Sequence, residues 1–215
     1  MRKNEKIYEM LKPPGPTFNN ETKWAELLKR LGPAASILDI GSKDRRIAPG
    51  VINTDLFIFE NVDVISDAHS LPFKEGAFDA VFIDAVLECT KDPNKIVGEI
   101  YRVLKKGGYV HCQTPFMQGY VSDPKDYYRW TIDGLREMFR RFRHEDSGVC
   151  CGPSSAVVWI LREYFAVFWS NDTMYRAVKF VFGWLLFPIK YLDIIISKKR
   201  HAHIISSAFY YIGRK

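Results

Sequence analysis

Ser36–Arg45 reads SILDIGSKDR. A short apolar run, an acid at Asp39 and a glycine at Gly41 describe a buried strand with a tight turn at its carboxyl end. A glycine there lets a ligand approach the backbone, as in the first turn of a nucleotide-binding α/β unit. Ser42, Lys43 and Asp44 stand where such turns commonly hold more glycine. What surrounds the turn decides its class.

Upstream, TKWAELLKRLG (22–32) spaces Trp24, Leu27, Leu28 and Leu31 as one helical face, with Gly32 and Pro33 as the stop. Downstream, GVINTDL (50–56) and VDVISDA (62–68) read as strands that end in acids, and FDAVFIDAVLE (78–88) begins as a fourth strand. PNKIVGEIYRVLKKGG (93–108) is an amphipathic helix with Ile96, Ile100, Val103 and Leu104 on one face, expected to end at Gly107-Gly108. YVHCQTP (109–115) is the fifth strand. Short apolar strands alternating with crossovers predict a parallel sheet covered on both faces, with ligands at the strands' carboxyl ends. Beyond residue 130, TIDGLREMFRRF predicts a helix capped by Thr131, HEDSGVC a sixth strand, residues 154–200 two or three helices, and IISSAFYYIGRK the last strand.

The chain has 215 residues, 47% hydrophobic and 26% charged, enough for one sizeable core. Its net charge of +6 permits an anionic partner without demanding one. No basic stripe interleaved with aromatics points to nucleic acid. Cys89, Cys112, Cys150 and Cys151 form no C-x-x-C pair and no zinc spacing, so no metal is expected, and reduced thiols suit a cytoplasmic location. The N-terminal MRKNEKIYEMLKPPGP is basic without an apolar h-region and does not read as a signal peptide.

The predicted strand ends carry ligand-binding residue types in order: Asp39 and Gly41, then Asp55, then Asp67 with Ala68. An acid after the second strand suits a ribose, because a carboxylate accepts from both hydroxyls. An acid after the third can accept from an adenine amino group. A lone aspartate is more often a turn or cap residue, but three in this order weaken that explanation.

The run ILDIG…NTDL…SDAHSLPFKEGAFDAVFIDAVLECTKDPNKIVGEIYRVLKKGGYV resembles class I S-adenosylmethionine-dependent methyltransferases, of the type 11-like small-molecule kind. DAHSLPFKEGAFDAV followed by LKKGG is its most specific part, and the resemblance covers roughly residues 34–115. It implies an α/β, Rossmann-like seven-stranded sheet, mostly parallel with an antiparallel last strand. A helical insertion would precede that strand. The expected organisation is an N-terminal arm and helix over 1–33 and a methyltransferase domain over 34–215, with 154–200 as an apolar helical insertion. S-adenosyl-L-methionine would be the cofactor: Asp39 and Gly41 flank its methionine part, Asp55 holds the ribose, and Asp67 with Ala68 meets the adenine. Asp84, just past strand four, would lie near the sulfonium and the substrate. TPFMQGYVSDPKDYYRWT resembles a segment of bacterial methyltransferases associated with surface-glycan gene clusters. Pro115, Phe116, Pro124, Asp126, Tyr127, Arg129, Trp130 and Thr131 match it, and Val121 stands where a histidine is usual.

Asp39 and Asp55 are only 16 positions apart, and the ten residues Ser42–Val51 are too few for a full crossover helix, so KDRRI is expected to make one turn at most. Methyl transfer from a sulfonium needs alignment above all, and a hydroxyl acceptor also needs a base. The carboxylate and imidazole candidates are Asp84, Glu88, His111, Asp123 and Asp126. His111 lies within a strand and reads first as a core residue, and Asp126 as an ion-pair partner of Arg129. Asp84, Asp126 and Tyr127 are the catalytic candidates, with Tyr127, Tyr128 and Trp130 as an aromatic wall for a sugar or ring. The acceptor expected is a small molecule or glycan, methylated on oxygen. The rival is a catalytically silent methyltransferase-like scaffold. RAVKFVFGWLLFPIKYLDIIISKKRHAH is too interrupted to span a bilayer, its longest uncharged run being Phe180–Ile189. Two uses remain open for 177–200: a lid or homodimer contact, or peripheral membrane contact through its aromatics and Lys198, Lys199 and Arg200.

Overall fold

Two strands that are mostly apolar on both faces, β1 (Ile37–Ile40) and β4 (Phe78–Asp84), lie side by side in the sheet. Leu38, Ile40, Val81 and Ile83 are buried there, which is why these segments read as predominantly apolar strands. The computed structural model describes residues 20–122 and 124–215. The expected arm over the first 19 residues and the candidate base Asp123 lie outside the described residues.

Seven strands form one sheet in the order β3-β2-β1-β4-β5-β7-β6. The others are β2 (Ile52–Asp55), β3 (Val64–Ile65), β5 (Leu104–Pro115), β6 (Arg143–Cys151) and β7 (Ala208–Arg214). β3, β2, β1, β4 and β5 pair in parallel, and β7 returns antiparallel to β5 from Tyr109↔Arg214 to Pro115↔Ala208. The predicted Rossmann-like sheet with its antiparallel last strand is therefore present. Strand order reverses between β1 and β4, which makes their carboxyl ends the crevice of such a sheet. Ile40 pairs with Ile83, so Gly41 and Asp84 follow on adjacent strands.

No helix joins β1 to β2: residues 41–51 are turns and bends, as the short spacing requires. Three helices complete this unit: α1 (Asn20–Leu31), α2 (Pro93–Val103) and α3 (Ile132–Met138). Asp92 accepts from the Lys95 amide to cap α2, and Thr131 accepts from the Gly134 amide at 3.1 Å to cap α3. Ile96, Ile100 and Val103 bury against Leu104, Val110 and Phe139 in one core.

One boundary differs from the sequence reading. α2 stops at Val103, and Leu104 is already extended and paired with Phe78 in β5. Leu104 fits the helical face by spacing, but strand pairing wins. Lys105-Lys106-Gly107-Gly108 forms an irregular strand start, with a register shift between Phe78 and Ala80. Gly107 supplies φ +81° there, and Lys105 Nζ reaches Asp79 at 2.7 Å.

Cys151–Ser207, with Met117–Gly119, forms a second compact unit. It contains α4 (Pro153–Ala166), α5 (Asp172–Leu186) and the short α6 (Asp193–Ile196). Asp193 is buried and accepts from the Ser154 and Ser155 amides at 2.7 and 2.9 Å, which caps α4 from a distant part of the chain. Phe165 stacks on Phe182 at 4.3 Å, and Glu163 pairs with Lys179 at 2.8 Å, joining α4 to α5. No described helix is long and apolar enough to cross a membrane.

Candidate active site

Asp39 ends β1 wholly buried, and Asp84 ends β4 nearly so. Both meet Arg45, a residue the sequence did not single out. Its Nη2 donates to Asp39 Oδ1 at 2.7 Å, Nε to Asp39 Oδ2 at 3.2 Å, and Nη1 to Asp84 Oδ2 at 3.1 Å. The guanidinium also lies 4.7 Å from the Trp24 ring of α1. Burial pushes the Asp39 carboxyl up to about 6, against the opposing pull of Arg45. Burial also works against the charge of Arg45, but Asp39 and Asp84 together outweigh it and raise its pKa. The missing crossover helix explains the placement: a turn folds Arg45 back over the strand ends, and Asn53 Nδ2 holds its carbonyl at 2.7 Å. The sequence signal was the unusually short Asp39–Asp55 spacing, which forces the DRR segment to stay beside β1.

Gly41 has φ +72°, and its amide donates to the Thr54 carbonyl at 2.8 Å. A Cβ at this position would run into the Val86 side chain. The neighbouring Ser42 hydroxyl is buried without a partner among the described residues. Asp55, at the end of β2, accepts from the Lys43 amide at 3.1 Å and the Phe57 amide at 3.0 Å. Two backbone donors thus fix its orientation. Asp67 accepts from the His69 amide at 2.8 Å and faces His69 Nδ1 at 2.6 Å, and these bonds to His69 hold its carboxyl below the usual range. His69 Nε2 reaches Thr90 Oγ1 at 2.6 Å, tying the loop after β3 to the loop after β4. Ala68 packs partly buried against the core.

Past Asp84 the chain makes a single helical turn, Leu87–Cys89. Glu88 on that turn is buried, and its Oε2 has no hydrogen-bond partner among the described residues. Burial pushes its carboxyl up to about 7. The Glu88 carbonyl accepts from the Tyr127 amide at 2.7 Å, which fastens the 120–131 loop to this turn. On that loop Asp126 pairs with Arg129 and accepts from the Val121 amide at 3.1 Å. Burial would raise the Asp126 pKa, but the Arg129 hydrogen bonds outweigh it and lower it. The ion pair read from sequence is present. Tyr127 is exposed, its ring 6.4 Å from Tyr128, which stacks on Trp130 at 5.4 Å. His111 is buried as expected of a core residue, but not as a satisfied one. Among the described residues neither ring nitrogen has a hydrogen bond of good geometry, and Nδ1 lies 3.2 Å from Asp84 Oδ1.

The structure thus joins Asp39, Asp84 and His111 through short contacts around Arg45. It places Glu88, Asp126 and Tyr127 on one turn-and-loop pair. Among the described residues no group of His, Cys, Asp or Glu is arranged to hold a metal.

The family model described as "Methyltransferase domain" matches residues 24–112, from α1 through most of β5. Residues 24–112 thus resemble a methyltransferase domain, and the chain shares its fold with solved methyltransferases. Demethylmenaquinone methyltransferase of Listeria welshimeri is 26% identical over 129 residues, covering 58% of this chain and 55% of that protein. The chain spans about half the length of the curated relatives it matches. In the solved 1,6-didemethyltoxoflavin-N1-methyltransferase of Burkholderia thailandensis the fold agrees with TM-score 0.57 at 15% identity, over 92% of this chain and 78% of that one. The [4+2]-cyclase SpnF also shares the fold, with TM-score 0.55 at 19% identity, over 91% and 81%. The methyltransferase fold alone therefore does not fix the chemistry.

Proposed function

We propose that this domain transfers a methyl group from S-adenosyl-L-methionine to a hydroxyl of a small-molecule or glycan-type acceptor. One observation carries the reading: Gly41 and Asp55, on adjacent strand ends, are built as a cradle. Gly41 has no room for a side chain, and Asp55 is oriented by two amides. The donor set fits the cofactor: Asp55 retains lone pairs for ribose hydroxyls, and the Ser42 hydroxyl, without a partner among the described residues, lies beside the glycine turn. By the sequence resemblance, Asp67 and Ala68 would meet the adenine, and Asp39 with Gly41 would flank the methionine portion.

The cofactor supplies an activated methyl on a sulfonium. The chain's residues align the acceptor and take its proton. We assign proton acceptance to Glu88, because Asp84 and Asp126 are each held by an arginine while Glu88 Oε2 has no partner among the described residues. A carboxyl raised to about 7 suits a general base near neutrality. Asp84 then orients Arg45, Asp126 orders the loop, and Tyr127, Tyr128 and Trp130 offer ring faces to a sugar or quinol. Demethylmenaquinone methyltransferases are among the curated relatives, which puts a quinone-type ring beside glycans among the acceptors to test.

The grip of Arg45 on Asp39 and Asp84 favours a second reading, a fold that binds without turnover. Incubation with methyl-labelled cofactor and a panel of hydroxylated and amine acceptors separates the two. Label on a hydroxyl product, lost in Glu88→Gln, is expected. Label on an amine overturns O-methylation, and no label despite cofactor binding favours the second reading.

A further inference from the structure

The second unit turns an unusual amount of apolar surface to solvent. In α4, Val157, Ile160 and Tyr164 recur at helical spacing, continued by Phe168, and all four are exposed. In α5, Phe182 faces α4 while Met174, Val181, Trp184 and Leu185 point to solvent, Leu185 at 66% exposure. A helix packed on one side of a water-facing domain carries polar residues on the other. Here the solvent side of α5 carries Met174, Val181, Trp184 and Leu185 beside Arg176. Rings link part of this surface: Tyr164 lies 5.5 Å from both Phe165 and Phe168. Tyr191, Leu192, Ile194 and Ile195 extend the exposed set.

The charge of the unit indicates the occupant. Residues 151–207 carry seven Lys or Arg and three Asp or Glu. Two of the acids are consumed internally, Asp193 on the α4 amides and Glu163 on Lys179 and Tyr175. Arg176, Lys198, Lys199 and Arg200 are exposed. A two-fold contact between copies would set this basic surface against itself, and lysine is depleted at protein interfaces. Exposed tryptophan and tyrosine beside aliphatic side chains and a basic cluster is the chemistry of a helix lying in the headgroup region of anionic lipid. α5 has 15 residues, which is too short to span and long enough to lie in the interface.

We propose that the second unit docks on an anionic lipid surface, with Phe168, Trp184 and Leu185 inserted and Lys198–Arg200 on the headgroups. This stands independently of the methyl-transfer reading.

Flotation of the full chain with vesicles of phosphatidylcholine and phosphatidylglycerol, against phosphatidylcholine alone, tests it. The protein should rise with the anionic vesicles and be released by high salt. The Phe168→Glu/Leu185→Glu variant should lose vesicle affinity by about tenfold or more. Its thermal unfolding should be unchanged, because both side chains are exposed. Lys198→Glu/Lys199→Glu/Arg200→Glu should remove the preference for anionic lipid. Quenching of tryptophan fluorescence by brominated lipid should fall in Trp184→Phe. Wild-type protein that stays in solution with both vesicles overturns the proposal. A concentration-dependent dimer broken by Leu185→Glu, without flotation, would assign the surface to a second copy instead.

Discussion

Arg45 holds both carboxylate oxygens of Asp39, at 2.7 and 3.2 Å, although Asp39 is wholly buried. Breaking such a pair from one side leaves an uncompensated charge, at a cost of about 3–5 kcal/mol. Arg45→Met should therefore destabilise the domain by that order at pH 8. With Asp39 titrating at about 6, and higher once Arg45 is gone, the cost should shrink at pH 5, where the carboxyl is protonated. Urea unfolding at the two pH values checks this.

Glu88 ties stability to function with the opposite sign. Between pH 4.5 and about 7 the native chain keeps a proton that the unfolded chain has released, so stability falls as pH rises. Glu88→Gln removes that fall. Relative to wild type it should gain about 3 kcal/mol between pH 4 and pH 8 while losing methyl transfer. Paired thermal melts and a transfer assay read both effects.

Asp55→Ala removes the charged acceptor set by the Lys43 and Phe57 amides. Affinity for S-adenosylhomocysteine should drop by about 1.5–3 kcal/mol, or roughly ten- to a hundredfold. Calorimetric titration measures it directly.

Gly41→Ala meets two obstacles, a φ of +72° and the Val86 side chain. The backbone alone costs about 1–3 kcal/mol. Adding Val86→Ala should recover the steric part and leave the backbone part, and a double-mutant cycle separates the two.

The α/β order was legible because β1 and β4 are mostly apolar and largely buried on both faces. The short β1–β2 connection followed from chain length alone. The start of β5 was not legible. Leu104 continues the apolar face of α2, and only its pairing with Phe78 ends the helix there. Asp39, Asp55 and Asp67 stood out by position at strand ends. Arg45 did not, because its partners are created by the fold-back of a turn that has no periodicity. The aromatic C-terminal stretch announced helices, but periodicity marks a face without telling which face is covered, so the exposed stripe of α5 appears only in the structure.

The central claim is that the Gly41–Asp55 cradle holds S-adenosyl-L-methionine. Calorimetric titration of the purified chain with S-adenosylmethionine and with S-adenosylhomocysteine tests it most directly. Both should bind with micromolar Kd, about −8 kcal/mol, and more weakly to Asp55→Ala. Absence of heat with either compound at millimolar concentration would contradict it.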